Sequence, residues 1–262
     1  MRTEFDRVHV TAQDGVAVLT LSHPETLNAA GVSMAHGIAK ALAFIEKPDS
    51  FFRAIVVTGE GRGFCSGANL SERGGGEETG VGHSLETVYH PFLRRLRDLS
   101  IPFVTAVNGA AAGVGMSIAL MGDLVVASRS AYFLQAFTRI GLVPDGGSTW
   151  LLPRLIGLAR AKELSLLAER LPAEKALEWG LINRVAGENE LMDEALKLAH
   201  QLADGPASLA VTRSLYWQSP LNTYEEQLDL ERISQERAGK TQDFMEGVTA
   251  FLQKRPAKFQ GK

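Results

Sequence analysis

A single cysteine, Cys65, stands in a chain of 262 residues, so no intrachain disulfide and no cysteine-built metal cluster can form. Positive charge is not in excess either. The formal net charge is -3 at pH 7, which lacks the electrostatic footprint of a nucleic-acid binder. The only basic cluster, Arg94, Arg95 and Arg97, lies in a helical pattern and reads as a solvated face or an interface. No apolar run approaches the ~20 residues that a membrane span needs. The stretch Met1 to Val10 is polar and charged, without the apolar centre of a secretory signal. The expectation is a cytoplasmic protein with no nucleic-acid or membrane partner.

Several catalytic motifs are missing as well. No glycine run has G-x-G-x-x-G spacing at the opening of a helix with an acidic residue about 20 positions on, and the P-loop spacing G-x-x-x-x-G-K-S/T is absent too. Gly-x-Ser-x-Gly is absent, which argues against an α/β-hydrolase. The six histidines (His9, His23, His36, His83, His90 and His200) show no ligand spacing such as H-E-x-x-H, so no metal site is expected. Neither Ser66 nor Cys65 has a base evident in the sequence.

The chain does have enough apolar character for a sizeable core. Hydrophobic residues make up 45% and charged residues 22%, ordinary values for one large globular domain. Arg7 to Ser22 reads as a hairpin turning at Gln13-Asp14-Gly15. Val32 to Glu46 has helical spacing, with Met34, Ile38, Leu42 and Ile45 on one face, and Pro48 closes it. Arg53–Thr58, Phe103–Val107 and Asp123–Ala127 are short apolar runs of the kind that form buried strands. Between them lie a glycine-rich loop over Gly59–Gly67, a helix over Ser84–Asp98, and a small-residue turn over Gly109–Gly115 with a helix over Met116–Met121. Gly74 to Glu78 reads as a mobile surface loop. From Leu151 onward the pattern is nearly all helical, with Leu191, Ala195, Leu198, Ala199 and Leu202 on one stripe. Alternating strand, turn and helix implies an α/β fold with helices covering the sheets. A helical tail with more apolar stripe than one domain can cover implies a docking surface.

The loops Phe64-Cys65-Ser66-Gly67-Ala68-Asn69-Leu70 and Asn108 to Gly115 are both small-residue turns just after buried strands. The second opens a helix, whose first N–H groups have no partner inside it. One amide from each loop can converge on a single oxygen, and two donors aimed at a carbonyl that becomes an enolate form an oxyanion hole. Turns between core elements are the bland alternative for either loop taken alone. The same holds for Asp145 in Pro144-Asp145-Gly146, which by itself reads as turn or cap chemistry.

These loops also resemble a known family. Leu21-Ser22-His23-Pro24-Glu25-Thr26-Leu27-Asn28-Ala29 is similar to the crotonase (enoyl-CoA hydratase/isomerase) opening, L-x-R-P-x-x-x-N-A. Phe64 to Leu70 is similar to A-F-x-A-G-A-D-L, Asn108 to Asp123 to N-G-x-A-x-G-G-G-x-x-L-A-x-x-C-D, and Thr249 to Arg255 to T-A-F-x-x-K-R. The motifs span the chain in family order. The resemblance implies a crotonase spiral of ββα turns over residues 1–200, then a helical segment over 201–262 that closes the site and joins subunits. It implies a homotrimer or a dimer of trimers acting on acyl-CoA, with coenzyme A as part of the substrate and no separate cofactor. The oxyanion amides would be those of Ala68 and Val114; the family usually has glycine at the second position, but a backbone donor tolerates valine if φ stays negative. Leu27, Ala29, Asn69 and Leu70 would lie near the adenine end of CoA. Phe251 and Lys254 would lie near its phosphates, from the same or a neighbouring subunit. Phe137 and Trp150, like Tyr89 and Phe92, line an aromatic pocket or belong to the core.

Enoyl-CoA hydratases of the family carry two glutamates flanking the attacking water. Their positions correspond here to Ser117 and Phe137, so both carboxylates are absent. Single-carboxylate isomerases and the aryl-CoA dehalogenases place an aspartate where this chain has Asp145. The run Pro144 to Arg154, Gly61 to Cys65, Pro91 to Leu96 and Leu228 to Arg232 most resemble the ring-1,2-epoxyphenylacetyl-CoA isomerases. The expected activity is therefore acyl-CoA isomerisation through Asp145, of a ring epoxide to an oxepin or of a 3-enoyl to a 2-enoyl thioester. A hydratase of the same fold, or a noncatalytic subunit pairing with a hydratase homologue, is the alternative.

Overall fold

The structure is a computed structural model that describes residues 2–72 and 80–262. The glycine run Gly74 to Glu78 lies outside the described residues.

The chain opens with three antiparallel strands, β1 (Arg2–Phe5), β2 (Val8–Gln13) and β3 (Val16–Leu21). The β2–β3 turn has φ of 43° at Asp14 and 83° at Gly15. Two successive left-handed residues make the tight hairpin turn that matches strand twist. Strands β4 (Ala54–Gly59), β6 (Phe103–Val107), β8 (Leu124–Ser128) and β11 (Arg184–Ala186) then add in parallel, giving the order β1-β2-β3-β4-β6-β8-β11.

The apolar runs of β3, β4 and β6 are buried throughout because the sheet is covered on both faces. Side chains alternate between the faces. Leu19, Leu21, Ile55, Val57 and Phe103 pack with Met34, Ile38, Leu42 and Ile45 of helix α1 (Val32–Ile45). Val16, Val18, Val56 and Val104 pack against Leu191, Ala195, Leu198 and Ala199 of helix α7 (Leu191–Ala203).

A second sheet, ordered β10-β9-β7-β5, consists of β5 (Gly63–Cys65), β7 (Ala110–Ala112), β9 (Tyr132–Leu134) and β10 (Leu171–Pro172). Each repeat of the fold sends one strand into the large sheet, the next into the small one, and then enters a helix. After β4 and β5 come a short α2 (Val81–Ser84), a π-turn over Leu85–Tyr89 and α3 (His90–Arg97). After β6 and β7 comes α4 (Val114–Leu120), and after β8 and β9 comes α5 (Ser148–Leu167). This is the ββα spiral that the resemblance implied.

The details correct four expectations. Ser84–Asp98 is broken by the π-turn rather than one helix. The turn over Gly109–Gly115 contains β7, the loop over Gly59–Gly67 contains β5, and α4 starts at Val114 rather than Met116. The tail beyond Leu151 is nearly all helical, with only the short strands β10 and β11 inside it. Helix α5 itself is interrupted at Gly157, where φ is 78° and ψ 160°.

The remaining helices are α6 (Ala173–Glu178), α8 (Ser208–Gln218), α9 (Tyr224–Ala238) and α10 (Gln242–Gln253). The boundary expected at residue 200 falls inside α7, which belongs to the sheet's core. Arg213 ties α8 back to the spiral. Its buried guanidinium meets Asp123 at 2.7 Å and donates to the carbonyls of Leu96, Arg97 and Leu99. Burial pushes the Asp123 carboxyl up and the Arg213 charge opposes that rise. Farther on, the carboxylate of Asp243 accepts from the backbone N–H groups of Ala207, Gln260, Gly261 and Lys262. Apolar side chains remain exposed on α8 to α10, among them Tyr216, Tyr224, Met245, Phe251 and Leu252. Among the described residues, no helix is long and apolar enough to cross a membrane.

Candidate active site

The two small-residue loops meet. Ala30 donates to the carbonyl of Gly67 at 2.7 Å and accepts from the N–H of Asn69 at 2.9 Å. Ala68 lies between those two bonds, so in the parallel bridge its own N–H points to the opposite side. Gly67 has φ of 112° and Gly113 has φ of 52°, and each turns the chain immediately before the residue of interest. A Cβ on Gly113 would lie 3.8 Å from the Cα of Gly67 and 3.7 Å from the ring of Phe137. The glycines that precede Ala68 and Val114 are thus brought together, with the buried Phe137 against Gly113. Among the described residues, neither the Ala68 nor the Val114 N–H donates to another backbone group. Gly113 takes the positive φ at this turn, which leaves Val114 free to begin α4.

The turn that carries Asp145 is held against α4 beside Val114. The hydroxyl of Ser148 donates to the Asp145 carbonyl at 2.7 Å, and the Ser117 hydroxyl reaches the same carbonyl at 3.3 Å. Ser117 and Ser148 also bond to each other at 2.9 Å. A Cβ on the following Gly146 would lie 3.3 Å from Cγ2 of Val114. The turn at Asp145 is therefore clamped onto α4, one helical turn beyond the Val114 amide. The N-cap of α5 is Gly147, not Asp145. Asp145 is partly exposed as a residue, although its Oδ1 is shut off from solvent.

Beside Asp145 lies a cavity of about 350 Å³. It is bounded by Gly146, Gly147 and Trp150 on one side, His90 and Arg94 of α3 on another, and Trp217 of α8. The Nδ1 of His90 is 3.0 Å from Glu86 Oε2, and Glu86 also pairs with Arg94 at 3.3 Å. The hydrogen bond from His90, followed by Arg94, holds the Glu86 carboxyl below its ordinary range. Among the described residues, no acidic side chain lines the cavity itself. Among the described residues, no three His, Cys, Asp or Glu side chains gather as they would around a metal ion.

Leu27 and Ala29 sit on the other side of the Ala68 loop. The carbonyl of Leu27 accepts from Ser66 N at 3.0 Å, and Ala29 precedes the bridging Ala30. Asn69 is buried, donating to Glu72 Oε1 at 2.8 Å and accepting from the Ser71 hydroxyl at 2.7 Å, so both ends of its amide are engaged. Leu70 is half exposed. Phe251, 83% exposed, and Lys254 lie on α10 and its C-cap and do not line the cavity. Sequence reasoning missed Trp217 and the clamping role of Ser148. The Arg213 to Trp217 spacing, which puts a buried cation and a large aromatic on one helical face, was the available signal.

The enoyl-CoA hydratase/isomerase family profile matches residues 11–262. The chain belongs to that family. It is 45% identical over 263 residues to the 1,2-epoxyphenylacetyl-CoA isomerase of Escherichia coli (strain K12), covering 99% of both chains. It is 41% identical to a probable enoyl-CoA hydratase of Rhodobacter capsulatus, covering 98% of this chain and 99% of the relative. The solved enoyl-CoA hydratase subunit I of Geobacillus kaustophilus HTA426 superposes with a TM-score of 0.91 at 32% identity, covering 99% of this chain and all of that one. The crotonase fold and the family are therefore settled, whereas relatives with both isomerase and hydratase names stand close to this chain.

Proposed function

We propose that this chain is an acyl-CoA isomerase with Asp145 as its one catalytic carboxylate and the amides of Ala68 and Val114 as its oxyanion hole. The observation that carries this reading is the fate of the two positions where hydratases keep glutamates. The Ser117 hydroxyl is committed to Asp145 and Ser148, and Phe137 is a buried hydrocarbon. Neither can activate water or protonate an α-carbon, and each such group contributes roughly 10²–10⁴ in rate. Asp145 remains as the acidic residue beside the paired amides.

In the proposed reaction on a 3-enoyl thioester, the Asp145 carboxylate takes a proton from C2. The electron pair moves into the thioester, and the two amides bind the enolate oxygen. Asp145 then returns the proton at C4, the double bond shifts to C2–C3, and the carbonyl re-forms. On 2-(1,2-epoxy-1,2-dihydrophenyl)acetyl-CoA, the carbon–carbon bond shared by the epoxide and the six-membered ring breaks to give the oxepin, and Asp145 returns the proton taken from the α-carbon to a ring carbon, leaving a double bond conjugated with the thioester. The 45% identity to a named epoxyphenylacetyl-CoA isomerase supports that substrate.

Coenzyme A belongs to the substrate in this reading, and no other cofactor is needed. Leu27, Ala29, Asn69 and Leu70 border its adenine end, and Phe251 and Lys254 reach its phosphates from a neighbouring subunit. The exposed apolar side chains of α8 to α10 support a homotrimer or a dimer of trimers; a hydratase homologue as a further partner and the cytoplasm as its place are proposed with it from the family resemblance. Hydration is the second reading, favoured by the 41% identity to a probable hydratase. Parallel assays on 3-hexenoyl-CoA, 2-hexenoyl-CoA and ring-epoxidised phenylacetyl-CoA separate the two. Isomerisation of the first or last substrate with little hydration of the second is expected, and hydration alone contradicts the proposal.

A further inference from the structure

The cavity beside Asp145 has an aromatic wall assembled from distant parts of the chain. Trp150 comes from the first turn of α5 and Trp217 from α8. Their rings stack with centroids 5.5 Å apart and planes only 11° from parallel. The Arg154 guanidinium lies 4.1 Å from the Trp150 ring centroid, and its Nη1 donates to the Trp150 carbonyl at 2.8 Å. The indole of Trp150 is therefore fixed before any ligand arrives and has little rotamer freedom left to lose. Trp217 is fixed from the other end, because Arg213, one turn earlier on the same face of α8, is the buried latch onto Asp123.

At about 350 Å³ the cavity is at the small end of ligand pockets. It suits an acyl group rather than a nucleotide. Aromatic walls favour flat π-systems, which stack or pack edge-on with centroids about 4.5–7 Å away, whereas a puckered ring of the same size gains only buried area. We infer that the Trp150–Trp217 pair determines acyl specificity. It selects thioesters whose acyl group carries a flat, conjugated ring, and the C-terminal segment supplies half of that wall. This inference rests on the acyl-CoA reading of the site and names the substrate class within it.

The test measures binding rather than turnover, on the full chain by calorimetry. The probes are phenylacetyl-CoA, cyclohexylacetyl-CoA, which has the same ring size but is not planar, and free CoA. The wild type should prefer the phenyl thioester by about 3–10-fold, the range expected for one or two aromatic contacts. Trp217→Ala should erase that preference and leave free CoA binding unchanged, whereas Trp217→Phe should keep most of it. A wild type that binds both thioesters equally overturns the inference. So does a Trp217→Ala variant that weakens both by one factor, or a Trp217→Phe variant as indifferent as the alanine. Failure to bind any of the thioesters would overturn the acyl-CoA reading as well. Equal binding together with Asp145-dependent turnover would overturn the specificity claim alone.

Discussion

Replacing Arg213 by alanine should be among the most damaging single changes outside the core. The guanidinium is 4% exposed, sits over the Phe103 ring, and serves one carboxylate and three main-chain carbonyls. Removing it leaves Asp123, itself only 22% exposed, without its cation. Breaking one side of such a buried pair typically costs about 3–5 kcal/mol, most of it the penalty of the stranded charge. For a domain of this size that is a fall in Tm of roughly 6–20 °C. The sign of the pH dependence follows from Asp123, whose carboxyl burial already pushes up. An acid whose folded pKa is raised favours folding while protonated and opposes it as pH rises through that pKa. Without Arg213 the folded pKa rises further, so the gap between variant and wild type should be widest near pH 8 and narrow toward pH 5. Urea denaturation at both pH values measures it, and adding Asp123→Asn to Arg213→Ala should recover part of the loss. A loss below about 1 kcal/mol that does not change with pH would refute the latch.

Three further outcomes follow from the same contacts. Asp243→Asn should destabilise the fold by about 1–3 kcal/mol at neutral pH, because backbone donors converge on that carboxylate. Burial raises the Asp243 carboxyl, but the amides of Gln260, Ala207, Gly261 and Lys262 outweigh it and hold it below its ordinary value. Its contribution should therefore be complete above about pH 4 and vanish as pH falls further, closing the gap to the variant in a pH-dependent melt. Gly113→Ala, at φ 52° and ψ -128°, should cost about 1–3 kcal/mol and lower kcat by tipping the Val114 amide; unchanged turnover would separate that turn from catalysis. Ser117→Ala should lower stability by about 1 kcal/mol and reduce kcat more than it raises KM, because the turn at Asp145 loses one of its two hydroxyl clamps.

Elements with a strong local signal were readable from the sequence. The β2–β3 turn needs Asp14-Gly15, α1 carries a clean apolar stripe, and the central strands are runs that only a sheet covered on both faces can bury. Strands β5, β7 and β9 were not readable, because three residues are too few to show a period. Ala110 to Ala112 looks like a turn until β5 and β9 are seen on either side of it. The π-turn ahead of His90 left no mark in a pattern that reads as one helix. At the site, the glycines at 67 and 113 marked where backbone amides could turn outward. Asp145 was indistinguishable from an ordinary Pro-Asp-Gly turn without the family resemblance. The wall of the cavity depends on Trp150 meeting Trp217 across the molecule, a contact that no local window of sequence contains.

The most direct test of the account is the Asp145→Asn variant, assayed on 3-hexenoyl-CoA and on ring-epoxidised phenylacetyl-CoA. The substitution keeps the size of the side chain and removes its basicity, leaving the Ser117 and Ser148 bonds to the backbone carbonyl in place. A general base that acts only in the transition state should take roughly 10²–10⁴ from kcat and leave KM and CoA affinity nearly unchanged. A variant that retains most of its turnover would reduce Asp145 to a turn residue and contradict the proposed chemistry.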